Sequence, residues 1–350
     1  MMKGYVLHGI DDLHFEEVVK PVPKNGEVLV KVMAAGICGS DIPRIFTTGA
    51  HNHPLIPGHE FSGQVVDAGS SADKKWIGKR VGVFPLIPCN SCPPCKKNLF
   101  EMCRNYNYLG SRCNGAFAEY VVVPVNNLIE LPDCVTYEEA AMMEPMAVAV
   151  HAMRRINPDV DDAVAVCGLG TIGLLLVMFL REAGIKNILV IGNKDFQKEN
   201  VLKLGIEESN FCDIRIENVH DWLMVKTTGN GVDAFFECVG KNETVLEAVN
   251  TTTMAGRICF VGNPYSDMEL DKNTYWKILR HQLTVTGTWN SSFTHEEDDD
   301  WHYVLNKMAD KKINPSELIS HRFSLEELNQ GFYIMKDKSE DYIKIMAVMQ

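Results

Sequence analysis

The sequence GLGTIG, residues 168–173, limits the folds available to this chain more than any other stretch. It follows a strand-like run, residues 163–167, and precedes an apolar, helix-like run that continues to about residue 183. Between a strand and a helix, G-x-G-x-x-G is typical of the phosphate-binding turn of a dinucleotide-binding fold. The glycines permit a tight turn, close approach of a pyrophosphate and close packing of helix on strand. Gly168, Gly170 and Gly173 are therefore predicted to bind a dinucleotide.

The alternation of strand-like and helix-like runs continues after this motif. NILVI, VDAFFECVG, GRICFVG and LTVTGTW read as strands, whereas DFQKENVLKLG and NETVLEAVNTT read as helices. With residues 163–167 these runs make five strands with intervening helices, and they predict a doubly wound parallel sheet of six strands in an α/β protein, which we place at residues 149–287. Residues 1–148 and 288–350 contain short alternating runs such as EVLVKVMAAG and AFAEYVVVP. They are predicted to form one β-rich domain that the nucleotide domain interrupts.

Length and charge exclude several classes of protein. A chain of 350 residues suits two domains, and its net charge of −12 argues against DNA, RNA or an anionic membrane as main partner. Residues 163–180 are uncharged and reach the minimum length of a membrane span, but their glycines favour a strand, a turn and a helix. The N-terminus lacks the pattern of a signal peptide. A cytoplasmic protein is expected, with the acidic run EEDDD (296–300) in solvent.

Four of the 11 cysteines lie within 15 residues, at Cys89, Cys92, Cys95 and Cys103. In a reducing cytoplasm, such clusters bind metal rather than form disulfides. Four thiolates can surround Zn²⁺ tetrahedrally and leave no position for substrate. A structural zinc lobe over residues 86–104 is therefore predicted.

A second metal site is indicated by Cys38 in ICGSD, His59 and Glu60 in PGHEFSG, and Glu144 in MEPMAVAVHA. Cysteine, histidine and a carboxylate suit a zinc with one open position. Each residue alone is weak evidence, because a lone cysteine is more often core and GHE is more often a turn. Their occurrence beside the four-cysteine loop and the glycine motif supports the catalytic interpretation. The residues leave open whether Glu60 or Glu144 is the carboxylate ligand.

Taken together, these motifs resemble those of the zinc-dependent medium-chain dehydrogenase/reductase family, in its sorbitol and polyol dehydrogenase branch. They occur in that family's order over residues of about 30–290. The resemblance implies a GroES-like catalytic domain around a Rossmann domain, one catalytic and one structural zinc per chain, a nicotinamide cofactor and a homodimer or homotetramer, with LTVTG at a pairing sheet edge. It adds further cofactor-binding residues: Thr171, Ile172, Val239 and Gly262.

The expected reaction is hydride transfer between the secondary alcohol of a polyol or polyol phosphate, galactitol 1-phosphate-like or sorbitol-like, and nicotinamide, giving the ketose. Zinc lowers the pKa of the alcohol, and Ser40 is the candidate for the first step of proton release. Asp41 is expected to orient a ligand, although a turn-capping role is an equal alternative. Other readings are a zinc enzyme for another secondary alcohol or diol, a zinc-free reductase and a non-catalytic zinc- and dinucleotide-binding protein. The ligand set disfavours the zinc-free reductase, and the glycine motif disfavours the non-catalytic protein.

Two arginines are candidates for binding a substrate phosphate. Arg44 stands where sorbitol dehydrogenases usually have a histidine soon after CGSD, and Arg112 lies in GSRCNG. A guanidinium can grip phosphate with paired hydrogen bonds. The alternative for each is a pair with one of the 46 acidic residues.

The cofactor type depends on the end of the second strand of the nucleotide domain. NAD-specific folds carry an acid there, about 20 residues beyond the glycines. Here Gly192 lies 19 residues beyond Gly173 (192 − 173), and Asn193 and Lys194 follow it. Without the acid and with lysine nearby, NADP(H) is favoured and NAD(H) stays possible. Asp195 is the alternative acid if the strand ends later.

Overall fold

A computed structural model describes residues 1–349, which divide into two compact units. Unit 1 comprises residues 1–145 and the segment from residue 292 onward, and unit 2 comprises residues 146–291. The chain thus leaves unit 1, forms unit 2 and returns. No helix in the described residues is long and apolar enough to cross a membrane.

The strands are numbered in chain order. They are β1 Met2–Gly9, β2 Asp12–Val18, β3 Glu27–Ile37, β4 Glu60–Ala68, β5 Arg80–Val83, β6 Leu86–Ile87, β7 Asn107–Tyr108, β8 Tyr120–Pro124, β9 Leu128–Glu130, β10 Ala163–Cys167, β11 Asn187–Gly192, β12 Phe211–Asp213, β13 Val232–Glu237, β14 Thr252–Phe260, β15 Thr284–Gly287, β16 Ile319–Phe323 and β17 Lys344–Val348.

The α-helices are numbered in the same way. They are α1 Asp41–Phe46, α2 Tyr137–Ala141, α3 Met143–Ile156, α4 Thr171–Glu182, α5 Asp195–Lys203, α6 Val219–Lys226, α7 Asn242–Thr251, α8 Lys272–Arg280, α9 Asp300–Ala309 and α10 Leu328–Asp337. Short 3₁₀ turns occupy Asp73–Trp76, Cys95–Lys97, Phe100–Met102, Val125–Asn127, Glu208–Asn210 and Pro315–Leu318.

Unit 2 is the predicted doubly wound sheet. Its six strands are all parallel, in the order β12-β11-β10-β13-β14-β15. This is the order of dinucleotide-binding folds, in which the sequence reverses direction beside the first strand. β10 is apolar along its length because both faces of a central parallel strand are covered. The sequence runs had not located β12, which has only three residues.

The apolar run at residues 163–180 folds as a strand, a glycine turn and a helix. β10 ends at Cys167 and α4 begins at Thr171. Every residue of α4 from Gly173 to Leu180 is buried. A helix that is apolar on all sides belongs in a protein core, which explains the absence of charge here.

Unit 1 is built on a sheet in the order β16-β17-β3-β4-β5-β9, with β8 also paired to β3. Antiparallel pairing sets Glu60 opposite Gly36 and Ile345 opposite Ile37. The end of β3 and the beginnings of β4 and β17 therefore meet at one edge of the sheet. The candidate active site lies at this edge.

One expectation about the surface holds for residues 296–298, which are exposed, and is wrong for the two residues that follow them. In the acidic run 296–300, Asp299 and Asp300 are buried, at 5% and 1% exposure. Asp299 caps α9 by accepting a hydrogen bond from the backbone N–H of His302 at 2.8 Å, and it also accepts one from Thr294 at 2.9 Å. A short acidic side chain can accept hydrogen bonds from the first N–H groups of a helix, so these carboxylates bind backbone N–H groups instead of water.

Candidate active site

Cys38, His59 and Glu60 converge although 21 residues separate the first two in the chain. One potential ligand atom from each lies within 4.8 Å of the others, and His59 and Glu60 are buried. Cys38 follows the last residue of β3, and His59 precedes the first residue of β4, so the antiparallel β3–β4 pair brings them together. A thiolate, an imidazole and a carboxylate form a donor set that fits zinc and leaves a position open.

Asp41 lies behind this cluster and is fully buried. Its Oδ2 accepts a hydrogen bond from the Cys38 backbone N–H at 3.0 Å, and its Oδ1 lies 3.5 Å from His59 Nδ1. Because the acid faces Nδ1, the other ring nitrogen, Nε2, is left to bind a metal. Carboxylates commonly orient metal-binding histidines in this way. Burial opposes ionisation, but His59 and Arg44 lower the pKa of Asp41 below its usual value.

The same contacts act on the histidine. Burial disfavours the charged ring, yet Asp41 and the Cys38 sulfur raise the pKa of His59 well above its usual value. The pocket therefore stabilises positive charge at the position of the ring. A zinc ion would bind the neutral ring and would therefore take the place of this proton.

Ser40 lies next to the cluster. Its hydroxyl donates to Cys38 Sγ at 3.3 Å, and the side chain is partly exposed. Ser40 is thus close enough to the cysteine ligand for the proposed role in proton release.

The two candidate carboxylates have different partners. Glu60 belongs to the ligand cluster and its Oε2 lies 2.5 Å from Lys344 Nζ. Glu144 lies outside that cluster, and its Oε1 accepts a hydrogen bond from Tyr108 OH at 3.0 Å. Burial raises the pKa of Glu144 to about 7. Of the two carboxylates, Glu60 is therefore the one that lies beside Cys38 and His59.

Sequence reasoning missed Tyr108 and Lys344. Tyr108 is a buried residue of β7 whose ring lies edge-on to His59, with centroids 5.7 Å apart. Lys344 begins β17, 284 residues after Glu60. A lone lysine in an apolar strand, KIMAV, was the only signal for it, and that pattern does not specify a partner.

Cys89, Cys92, Cys95 and Cys103 also converge, with all four sulfurs within 4.8 Å of one another. The loop that carries them contains the two 3₁₀ turns Cys95–Lys97 and Phe100–Met102. The Cys89 backbone N–H donates to Cys103 Sγ at 3.2 Å, so the loop closes on itself. Four sulfurs in this arrangement fit a closed tetrahedral zinc site.

The two arginines differ in their surroundings. Arg44 Nη1 lies 2.5 Å from Asp41 Oδ1, and the Arg44 side chain is only 16% exposed. Arg44 therefore pairs with an acidic residue, which was the alternative to binding a phosphate. The guanidinium of Arg112 stacks on Tyr106, with its carbon 4.5 Å from the ring centroid. Among the described residues, no carboxylate pairs with Arg112.

In unit 2 the predicted glycine turn has the geometry that its sequence requires. Gly168 has φ of +97°, which favours glycine. At Gly173 a Cβ atom would lie 1.9 Å from Gly168 O, so α4 packs too closely for any side chain there. Space is open around Gly170, and Thr171 and Ile172 form the first turn of α4, whose N–H groups and dipole suit an anion.

Val239 and Gly262 lie in the same region of unit 2 as the glycine turn. A Cβ at Gly168 would meet Val239 Cγ2 at 2.6 Å, and one at Gly262 would meet the backbone of Gly240 at 2.3 Å. Both residues follow strand ends of the sheet, β13 and β14. This is the edge at which open parallel sheets bind ligands.

At the end of β11, a glutamine occupies the place of the usual acid. A Cβ at Gly192 would lie 2.8 Å from Gln197 Oε1, which accepts a hydrogen bond from the Asn193 N–H at 2.9 Å. Lys194 follows in an exposed position. Asp195 begins α5 and pairs with Arg215 at 2.5 Å, while Lys198 pairs with Glu208 at 2.6 Å.

The fold and these side chains define a class: two-domain dehydrogenases with a dinucleotide-binding sheet and zinc ligands in a β-rich domain. Comparison with known families agrees. Residues 24–133 match the alcohol dehydrogenase GroES-like domain, and residues 171–310 match the zinc-binding dehydrogenase domain.

Individual relatives show which members of this class the chain resembles. Galactitol 1-phosphate 5-dehydrogenase of Escherichia coli K12 is 33% identical over 317 residues, which are 90% of this chain and 91% of the relative. The crystal structure of galactitol-1-phosphate dehydrogenase from Escherichia coli superposes with a TM-score of 0.92 at 31% identity, covering 99% of this chain and 100% of that one. A putative zinc-binding dehydrogenase from Sinorhizobium meliloti bound to NADP gives a TM-score of 0.90 at 28% identity, covering 100% and 99%.

The chain belongs to the zinc-dependent medium-chain dehydrogenase/reductase family, in its polyol dehydrogenase branch. It is a zinc-dependent polyol or alcohol dehydrogenase that uses a nicotinamide cofactor. Three stretches of the sequence, CGSDIPRIFTTGAHNHP, GSRCNGAFAEY and KILRHQLTVTGTW, resemble galactitol-1-phosphate 5-dehydrogenase in particular.

Proposed function

We propose that this chain oxidises a secondary alcohol of a polyol or polyol phosphate to the ketose, and catalyses the reverse reduction. The observation that carries this proposal is the convergence of Cys38, His59 and Glu60 within 4.8 Å in a family of zinc dehydrogenases. The Escherichia coli relative is a galactitol 1-phosphate 5-dehydrogenase, which supports a polyol phosphate as the first substrate to test.

In this proposal Cys38, His59 and Glu60 hold a catalytic zinc. Glu144 is not a zinc ligand and accepts a hydrogen bond from Tyr108. When bound, zinc acts as a Lewis acid that lowers the pKa of an alcohol. Asp41 fixes the ring of His59. Ser40, beside Cys38, would be the first step of a proton relay, because its hydroxyl can take up the alcohol proton while it passes its own proton on. Cys89, Cys92, Cys95 and Cys103 hold a second, structural zinc.

Arg112 is the better candidate for a substrate phosphate. Its guanidinium is oriented by the Tyr106 ring and has no carboxylate partner among residues 1–349, so its paired donors are available to an oxyanion. Tyr106 in turn lies edge-on to Tyr108, which contacts Glu144. Arg44 is engaged by Asp41 and contributes to the order of the zinc ligands instead.

For the cofactor we propose a preference for NADP(H) over NAD(H). Gly192 and Gln197 leave no carboxylate at the usual ribose-binding position, so no acid there repels a 2′-phosphate. Lys194 supplies positive charge next to it, and the nearest acid in sequence, Asp195, is paired with Arg215. Solved relatives are bound to NADP in one case and to NADH in another, so the proposed preference rests on these residues of the chain itself.

The decisive experiment is a substrate panel of galactitol 1-phosphate, sorbitol 6-phosphate, free polyols and simple diols, each with NAD⁺ and NADP⁺. Zinc per chain is measured on the same preparation. We expect the highest catalytic efficiency with a phosphorylated polyol and NADP⁺, and two zinc ions per chain. Cys38→Ser is the control, and it should abolish turnover while it preserves fold and nucleotide binding. Turnover that survives in Cys38→Ser would reject the proposed zinc site.

A further inference from the structure

Lys344 contacts a proposed zinc ligand from the interior of the protein. Its Nζ lies 2.5 Å from Glu60 Oε2 and donates to the Ile37 carbonyl at 3.1 Å. Lys344 and Glu60 are 3% and 1% exposed, so water does not share these contacts. A buried ammonium needs acceptors of this kind, and a buried carboxylate needs a cation, so each side chain fixes the other.

The surrounding strands leave this pair little freedom. Glu60 faces Gly36 across the β3–β4 pair, and Lys344 starts the strand on the other side of β3. A Cβ at Gly36 would lie 2.5 Å from Glu60 Oε2 and 3.3 Å from Lys344 Cδ. The two side chains therefore fill the space above Gly36, and Oε2 is held at a defined position.

We infer that Lys344 is a positioning residue that makes Glu60 a one-oxygen ligand of the catalytic metal. The ammonium occupies Oε2 and leaves Oε1 for the metal, whereas an unrestrained carboxylate can bind with both oxygens. A catalytic zinc site must keep one position for substrate, and a second carboxylate oxygen would occupy it. This inference rests on the proposed function, because it assumes that Glu60 belongs to the catalytic site.

The test replaces zinc by Co²⁺ in the parent and in Lys344→Met, and follows the visible spectrum during titration with imidazole. A closed four-sulfur site does not bind imidazole, so the spectral change reports only the open site. Four-coordinate Co²⁺ absorbs visible light more strongly than five-coordinate Co²⁺. Lys79→Met is the matched control, since Lys79 also lies 2.5 Å from a glutamate, Glu130, but in an exposed pair.

In Lys344→Met we expect weaker absorption from the catalytic Co²⁺ and about a ten-fold rise in the Kd for imidazole, a typical effect of losing a partner of a metal ligand. The control should match the parent. A folded Lys344→Met protein with parental absorption and Kd would overturn the inference. If that variant does not fold, the Co²⁺-substituted parent protein supplies the test. A five-coordinate spectrum of the parent before imidazole is added would also overturn the inference. Uptake of a single metal ion per chain with no imidazole response would instead reject the proposed catalytic site.

Discussion

Arg44 and Arg112 carry the same charge, but their neighbours give them different roles. Arg44 neutralises a fully buried aspartate that also contacts His59, whereas Arg112 lies on the face of Tyr106. Removing Arg44 leaves Asp41 buried without its cation, and breaking a buried pair typically costs about 3–5 kcal/mol. Removing Arg112 should change the free energy of unfolding little, but it takes away the paired N–H donors proposed to bind the substrate phosphate.

We therefore predict a contrast between Arg112→Met and Arg44→Met. Arg112→Met should raise KM for a polyol 1-phosphate roughly ten-fold or more, because one hydrogen bond to a charged group contributes roughly 1.5–3 kcal/mol, and should leave KM for the free polyol unchanged. Arg44→Met should lower the melting temperature and reduce kcat on both substrates alike. Steady-state kinetics with both substrates measures this contrast. An equal rise in KM for both substrates in Arg112→Met would exclude a phosphate-binding role.

The second prediction at this scale concerns cofactor choice. Gly192→Asp alone would press against Gln197, so the informative variant is Gly192→Asp combined with Gln197→Ala. An acid there accepts the ribose hydroxyls of NAD⁺ and repels a 2′-phosphate. We expect the ratio of kcat/KM for NAD⁺ to that for NADP⁺ to rise at least about ten-fold, which corresponds to about 1.4 kcal/mol. Gln197→Ala alone is the control, and an unchanged ratio in the double variant would contradict the assignment.

At the scale of elements, the cysteine loop acts as a separate unit within the β-rich domain. Its backbone is held by two 3₁₀ turns and a few contacts of the sulfurs themselves, as between Cys89 N–H and Cys103 Sγ. Such a segment buries little apolar surface. We propose that a bound zinc supplies its order, because metal binding contributes directly to folding free energy.

Cys95→Ser should therefore lower the zinc content by one ion per chain and lower the melting temperature. Cys95 is buried among the other sulfurs, whereas Cys134 is exposed and outside the cluster, so Cys134→Ser is the matched control. Metal analysis and thermal unfolding of both variants provide the measurement. Equal zinc content in Cys95→Ser and the parent would reject a structural zinc in this loop.

At the scale of the whole molecule, we propose that the chain forms a homodimer or homotetramer through β15. This strand lies at the end of the six-stranded sheet, so one of its edges has no strand beside it within the described chain. Trp276, Leu279 and Val285 are exposed on α8 and β15 of the same unit. An exposed sheet edge beside apolar side chains is a ready template for pairing with a second copy.

Val285→Lys is predicted to break this assembly, because a charged side chain on an edge strand opposes pairing. Sedimentation analysis should show particles of half the parental mass or less. Val225→Lys is the control, since Val225 is even more exposed but lies on α6. A parent that sediments as a monomer, or a Val285→Lys protein that keeps the parental mass, would exclude this interface.

The sequence by itself determined the features that depend on local spacing. G-x-G-x-x-G between a strand and a helix specifies its own turn, and Gly168 and Gly173 have the geometry that this spacing requires. The four cysteines lie within 15 residues, so their convergence follows from one loop. The central strands of the nucleotide domain were visible as apolar runs because the middle of a parallel sheet is covered on both faces, whereas the short β12 was not located.

The tertiary structure decided whatever depends on partners that are distant in sequence. Glu60 comes to lie beside Cys38 and His59 through the register of β3 and β4, whereas Glu144 lies outside that cluster. The counter-ion of Glu60 comes from a strand 284 residues later. The burial of Asp41 behind His59, and that of Asp299 and Asp300, is decided in the same way, since composition predicts that charges face water. The pair of Asp41 with Arg44 is local by contrast, because the two residues lie three positions apart on α1. A charged side chain carries no local signal of a partner that is distant in the chain, because electrostatic and hydrogen-bond energies depend on distances in space that only the packed sheets establish.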